Sequence, residues 1–215
     1  MRVLQGSGSR VHVEFDQMIA SFSASNDAAE QEQMRLGIWD RFGTVGATFI
    51  SDMANFSSTS REYGVCHFLK MIYRTRRTVA PIVADNGGQL LKCDADNCYA
   101  FFEKPGHALQ ASLDINAELF RLNQSSDLAE HIYLSVGIDF GRLLLVGTED
   151  YYGDPVNTAS KLGEDLAGKS ETLVTDRALA KTDYVPPENA ERMVARISDI
   201  EISYTKLSMT ETNRQ

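Results

Sequence analysis

Two aspartates stand where strand-like text gives way to a polar turn: Asp52 in ATFISDMANFS and Asp96 in GGQLLKCDADNCYAFF. A carboxylate is a hard oxygen donor, and two of them on neighbouring segments can share magnesium or manganese. Around Asp52 the order of strand, carboxylate, small-polar turn and helix also offers backbone N–H groups to phosphate oxygens. Two carboxylates bridging two ions suit phosphoryl or nucleotidyl transfer, where one ion activates the attacking oxygen and the other neutralises the polyphosphate. A plainer reading stands beside this one, because Asp96-Asn97 is also a good hairpin turn.

A second phosphate signal is false. Gly163 to Ser170, GEDLAGKS, satisfies the GxxxxGK[ST] pattern. A working phosphate loop follows a strand and opens a helix, whereas this match ends a predicted helix and enters a strand. Glu164 and Asp165 would also put two negative charges where a triphosphate must sit.

The surrounding text predicts the scaffold. Residues 1 to 10 contain Gly and Ser and read as disordered. From Val11 to about Gly43 the spacing of Met18, Ile19, Phe22, Met34, Leu36, Ile38 and Trp39 predicts one or two short amphipathic helices, a lead-in rather than core. Thr44 to Ser51 reads as a strand. A helix follows from about Thr59 to Ala84, stopped by Asn86-Gly87-Gly88. Gly87-Gly88 then opens a strand, and Ala95-Asp96-Asn97 turns it into the next. His107 to Asn123 reads as a second helix, HIYLSVGIDFGRLLLVG as two strands around Gly141, and Asp154 to Leu166 as a third helix with Pro155 in its first turn. TLVTD and ISDIEISYTKLS close the chain as strands. This order, β-α-β-β-α-β with additional strands and helices, predicts an α+β fold with a ferredoxin-like core.

Composition excludes some partners. The net charge of -9 argues against nucleic acid and anionic membrane surfaces, which favour basic proteins. No apolar run of about 18 residues and no signal-peptide core occur, so the chain reads as cytoplasmic, with room for a membrane tether in a longer protein. Cys66, Cys93 and Cys98 read as buried free thiols. His12, His67, His107 and His131 show no ligand spacing, and Arg74, Arg76 and Arg77 read as the solvated face of a helix. Tyr151-Tyr152 reads either as packing or as the lining of a base pocket.

Three ordered motifs now carry a resemblance. They are Asp52 with Phe56 and Ser57; Gly87, Gly88, Lys92 and Asp96; and Asp150, Gly153, Val156, Asn157, Ala159 and Ser160. Together they resemble the class III nucleotidyl cyclase catalytic domain over about Gly43 to Thr182. The resemblance implies a lead-in over residues 1–42, a cyclase catalytic domain over 43–209 and a tail over 210–215. It implies Asp52 and Asp96 as ligands of two Mg2+ or Mn2+ ions, with Met53, Ala54, Asn55, Phe56 and Ser57 wrapping the triphosphate. Lys92 and Asp150 fall where adenylate cyclases place their adenine-reading lysine and aspartate, which favours ATP over GTP. Asn157 is similar to the residue that orients the ribose. The family also implies a head-to-tail homodimer with sites at the interface, and an upstream sensor or membrane domain acting through the lead-in.

The departures from the family are specific. Lys161 stands where the family usually has an arginine on the transferring phosphate, and lysine lacks the bidentate fork. Ser198-Asp199 stands where a phosphate-contacting Lys-Gly pair is usual. Asp94 replaces an apolar residue, and Ala95-Asp96-Asn97 replaces Gly-Asp-Gly. Beside the adenylate cyclase reading, these leave a guanylate or other nucleotide cyclase and a catalytically weak nucleotide-binding regulatory module.

Overall fold

A computed structural model describes residues 10–54, 62–197 and 200–208 of the 215-residue chain. The readings placed on residues 1–9, on Asn55, Phe56 and Ser57, on Ser198-Asp199 and on the tail lie outside the described residues.

The chain opens with two helices, α1 (Arg10–Ala24) and α2 (Ala28–Phe42). Asp27 starts α2 by accepting the N–H groups of Ala29 at 2.8 Å and Glu30 at 2.9 Å, which satisfies two donors that a helix start leaves open. The predicted lead-in is folded onto the rest: Phe15, Ile38 and Phe42 make a small core with Val146 of the sheet.

Strand β1 (Gly43–Met53) runs up the middle of the sheet, and six consecutive residues from Gly46 to Ser51 are buried. Continuous burial replaces the alternation of a half-exposed strand because both faces are covered. Helices α3 (Val65–Asp85) and α4 (Pro105–Asn123) contribute to the main core on one face. Helix α5 (Asp154–Ser160) and a π-helical turn over Lys161–Leu166 cover the other. The single predicted helix from Asp154 to Leu166 is thus split in two. Gly163 is the physical reason: a Cβ there would lie 2.7 Å from the Ile50 carbonyl oxygen, so the turn presses its backbone directly on β1.

Asn86-Gly87-Gly88 ends α3 as expected. Gly87 takes a φ of +70° and Gly88 donates its N–H to the Val83 carbonyl at 2.8 Å, a left-handed cap that a side chain would disfavour. The chain enters the hairpin of β2 (Gln89–Asp94) and β3 (Asn97–Phe102). After α4, β4 (Leu134–Val146) is one unbroken strand where two were predicted around Gly141, and a short β5 (Asp150–Tyr152) pairs back onto it. Then come β6 (Glu171–Thr175), the short α6 (Asp176–Leu179), β7 (Glu191–Ile197) and β8 (Ile200–Ser208). Strand β7 and helix α6 were not predicted.

The strands form one sheet in the order β2-β3-β1-β4-β6-β8-β7, with β5 paired to β4. The first four, with α3 and α4 as crossovers, have the antiparallel order of a βαββαβ ferredoxin-like unit, as the element pattern predicts.

Candidate active site

The ladder brings the two aspartates together. Ser51 of β1 lies opposite Cys98 of β3, so Asp52 sits one residue beyond that pair and Asp96 two residues before it, at the tip of the β2–β3 hairpin. Their carboxyls share a hydrogen bond. Partial burial, first, and then the charge and hydrogen bond of Asp96 and the charge of Glu164, push Asp52 up to about 7. Burial also raises Asp96. Two half-buried carboxyls this close disfavour each other's ionised form, a repulsion that a divalent cation held between them would relieve. Their hard oxygen donors fit Mg2+ or Mn2+. Among the described residues no group of three or more potential ligands is assembled.

Lys92, on β2, leans the other way. Its Nζ lies 3.0 Å from the Asp150 carboxylate and 5.1 Å from the centre of the Tyr99 ring. Asp150 is held from its own side, accepting the Tyr151 N–H at 2.9 Å and the Tyr152 hydroxyl at 3.1 Å. Burial, then the Asp150 charge, push the Tyr152 hydroxyl up to about 12. Tyr152 stacks on Phe15 of α1, and Tyr151 is buried with its hydroxyl donating to the Phe49 carbonyl at 3.3 Å, so both tyrosines pack.

Asn157 and Lys161 lie one turn apart and are exposed at the end of α5 and the start of the π turn. Lys161 is already engaged, with its Nζ 2.5 Å from Asp165. Met53 is buried, and Ala54 donates its N–H to the Tyr133 carbonyl at 3.0 Å. The GEDLAGKS match runs from the π turn into β6, and Lys169 lies over the Tyr133 ring.

Three readings need correction. Cys93 and Cys98 are opposite each other across the hairpin, Cα to Cα 4.2 Å, and form a disulfide, while Cys66 is exposed rather than buried. The hairpin read from the sequence, turning on Ala95-Asp96-Asn97, would have set Cys93 opposite Tyr99; the turn is shorter, on Ala95-Asp96 alone, and that sets Cys93 opposite Cys98. Arg74 and Arg76 are not merely solvated, since Arg74 donates to the Glu130 carbonyl at 3.0 Å and Arg76 to the Cys93 carbonyl at 2.9 Å.

Two further groups were missed. Glu164 accepts from Asn97 Nδ2 at 3.1 Å and lies 3.5 Å from the Tyr99 hydroxyl, so the π turn braces the hairpin tip. Asp139, fully buried on β4, accepts from Thr175 Oγ1 at 2.5 Å and from Arg177 Nε at 2.7 Å. Arg177 also reaches Asp154 at 2.6 Å, in the first turn of α5. The hydrogen bond to Asp139, partly opposed by burial, raises the guanidinium further above its ordinary range. A buried aspartate leaves no periodic signal in a sequence, and its partner lies far along the chain.

No protein-family model matches the chain, and no curated protein does. Solved structures do. A protein from Silicibacter pomeroyi titled adenylate/guanylate cyclase/hydrolase aligns at a TM-score of 0.66 and 24% identity over 77% of this chain and 97% of that one. The adenylyl cyclase CyaB from P. aeruginosa aligns at 0.62 and 16% identity, over 78% and 98%. The guanylate cyclase domain of RhGC from Catenaria anguillulae, solved with GTP, aligns at 0.63 and 15% identity, over 75% and 94%. The chain has the fold of the nucleotide cyclase catalytic domain. Structures titled as adenylyl and as guanylate cyclases share this fold. These alignments cover about three quarters of the chain.

Proposed function

We propose that this chain is a nucleotide cyclase converting ATP to 3′,5′-cyclic AMP and pyrophosphate. The observation that carries this reading is the Lys92–Asp150 pair at 3.0 Å, one donor and one acceptor held together in a fold that also pairs Asp52 with Asp96. Lysine donates to adenine N1, and a carboxylate accepts from the N6 amine. Guanine presents the opposite pattern, with O6 accepting and N1–H donating.

Asp52 and Asp96 are the residues to hold Mg2+ or Mn2+. Bound there, the ions would supply activation of the 3′-hydroxyl and neutralisation of the polyphosphate. Met53 and Ala54 begin the turn that wraps the phosphates. Asn157 orients the ribose so that its 3′-oxygen approaches the α-phosphorus in line with the departing pyrophosphate. Lys161 offsets the charge that grows on the phosphate oxygens. Asn157 and Lys161 are exposed on their own protomer, which suits sites completed across a head-to-tail homodimer. The helices α1 and α2 reach Asp150 through Phe15 and Tyr152, a route by which an upstream sensor or membrane domain would act.

The Lys161–Asp165 ion pair favours a second reading, a nucleotide-binding regulatory module with little turnover. Incubation of the protein with ATP, GTP, CTP or UTP and Mn2+ or Mg2+ separates the two. Cyclic AMP that disappears in Asp52→Ala and Asp96→Ala supports the cyclase, and nucleotide binding without any cyclic product supports the module.

A further inference from the structure

We propose that Cys93 and Cys98 are a site of thiol–disulfide exchange, taking a dithiol as reductant, that controls how firmly Asp96 is held against Asp52. The inference rests on the metal-site reading of those aspartates.

The disulfide closes around four residues, Asp94, Ala95, Asp96 and Asn97. The hairpin's own ladder is weak there. Strand β2 is an edge strand of the sheet, so only β3 pairs with it. A register shift between Leu90 and Lys92 separates the last three pairs, Lys92 with Tyr99, Cys93 with Cys98 and Asp94 with Asn97, from the rest of the ladder. Within the turn Ala95 adopts a φ of +47°, a conformation that non-glycine residues disfavour. Side-chain contacts brace it from outside, Arg76 to the Cys93 carbonyl, Lys92 to Asp150 and Asn97 to Glu164, but none of them joins the two strands as the disulfide does. Cys98 lies opposite Ser51, next to Asp52, so the crosslink fixes the hairpin where the two carboxyls must meet.

Access is one-sided. Cys98 is 1% exposed and Cys93 is half-buried. A reductant thiolate therefore attacks the Cys93 sulfur, forms a mixed disulfide with it and releases Cys98 as a thiolate. The second thiol of the reductant then displaces Cys93 and closes the reductant's own disulfide. Two electrons pass to the cysteine pair, and the two protons of the dithiol end on Cys93 and Cys98. Oxidation is the reverse, with a disulfide as electron acceptor.

The test compares the full chain after oxidation by a small disulfide with the chain after dithiothreitol, the reagent removed under inert gas. Alkylation should find one thiol, Cys66, in the first and three in the second. Mn2+ binding is measured without nucleotide, and circular dichroism confirms that both forms are folded. Reduction should weaken Mn2+ binding about tenfold, the scale on which loss of a ligand's supporting partner acts. Cys93→Ser with Cys98→Ser should bind like the reduced chain and ignore dithiothreitol, while Cys66→Ser should respond as the parent does. If the double variant does not fold, the reduced parent chain carries the comparison. Folded protein with equal Mn2+ affinity in both states overturns the proposal, and so do three alkylatable thiols after oxidation. If Asp52→Ala and Asp96→Ala keep full Mn2+ binding, the metal reading itself falls and takes the coupling with it. Lost binding in both variants with no redox effect sinks the exchange control alone.

Discussion

Lys92 and Asp150 are 58 residues apart in the chain and meet at 3.0 Å, one from the edge strand β2 and one from the short β5. Neither is left to find the other by chance: the Tyr99 ring lies under the lysine, and the Tyr152 hydroxyl bonds the aspartate. The pair is a pre-positioned donor and acceptor. Replacing both with the opposite pattern, Lys92→Glu with Asp150→Cys, is expected to reverse the preference from ATP toward GTP. Each single change to alanine should cost about 10²-fold in kcat/KM for ATP, because a site built to bond polar groups discriminates strongly once one is unpaired. Competition kinetics with both triphosphates measures this, and an unchanged ATP to GTP ratio in the double variant would remove the base-reading role.

Lys161, proposed above to meet the transferring phosphate, is held 2.5 Å from Asp165. Both side chains are about half exposed, so the pair is weak and its competition with substrate is mild. Asp165→Asn should therefore raise kcat only a few-fold. Lys161→Arg restores a bidentate fork and should raise turnover further. Lys161→Ala should lower kcat about 10²-fold with little change in ATP affinity, as expected of a charge used mainly in the transition state. A Lys161→Ala variant with unchanged kcat would show that the charge comes from elsewhere.

The sequence made some of this legible and hid the rest for physical reasons. Asp52 and Asp96 were legible because each sits where a strand gives way to a turn, and turns have residue preferences, whereas Lys92, inside β2, and Asp150 were paired only through the resemblance of their motifs. Strand β7, ERMVARI, escaped because an edge strand can carry charges that spoil the alternating pattern. The π turn escaped because helical spacing does not reveal that Gly163 must touch the Ile50 carbonyl. The disulfide was missed because the hairpin was read with Asn97 in its turn, and one residue of turn length decides whether Cys93 faces Cys98 or Tyr99. Cysteine spacing was weighed without the register.

Asp52 also makes a pH prediction. Burial and then the neighbouring Asp96 push its carboxyl up to about 7 from an ordinary 3.8. A group with a raised folded pKa favours the fold when protonated, so its contribution is complete below about pH 4 and is lost as pH rises through about 7. Asp52→Asn stays neutral throughout and serves as the reference. In metal-free buffer the melting temperature of the parent should fall relative to Asp52→Asn between about pH 4 and pH 7 and level off above that. Added Mn2+ should reverse the trend for the parent, since binding needs the carboxylates ionised. A constant difference across the range, with or without Mn2+, would mean the two carboxyls do not share a proton.

The buried Asp139 tests how α5 is held. Its carboxylate is out of contact with water and depends on Thr175 and Arg177, and Arg177 in turn reaches Asp154 in the first turn of the helix that carries Asn157. Removing the arginine strands a buried charge. Such losses run about 3–5 kcal/mol, and the partial exposure of Arg177 and the remaining Thr175 bond lower the figure here to about 2–3 kcal/mol. Arg177→Met should therefore melt well below the parent. Asp139→Asn combined with Arg177→Met removes both charges and should recover part of the loss, giving a clear coupling in a double-mutant cycle. The same cycle read in kcat should show Arg177→Met slowing turnover while leaving Mn2+ binding intact, because α5 loses its anchor and the Asp52–Asp96 pair does not. Additive effects on stability would instead mean that Arg177 and Asp139 act independently, and the anchoring of Asn157 through Asp154 would have to be abandoned.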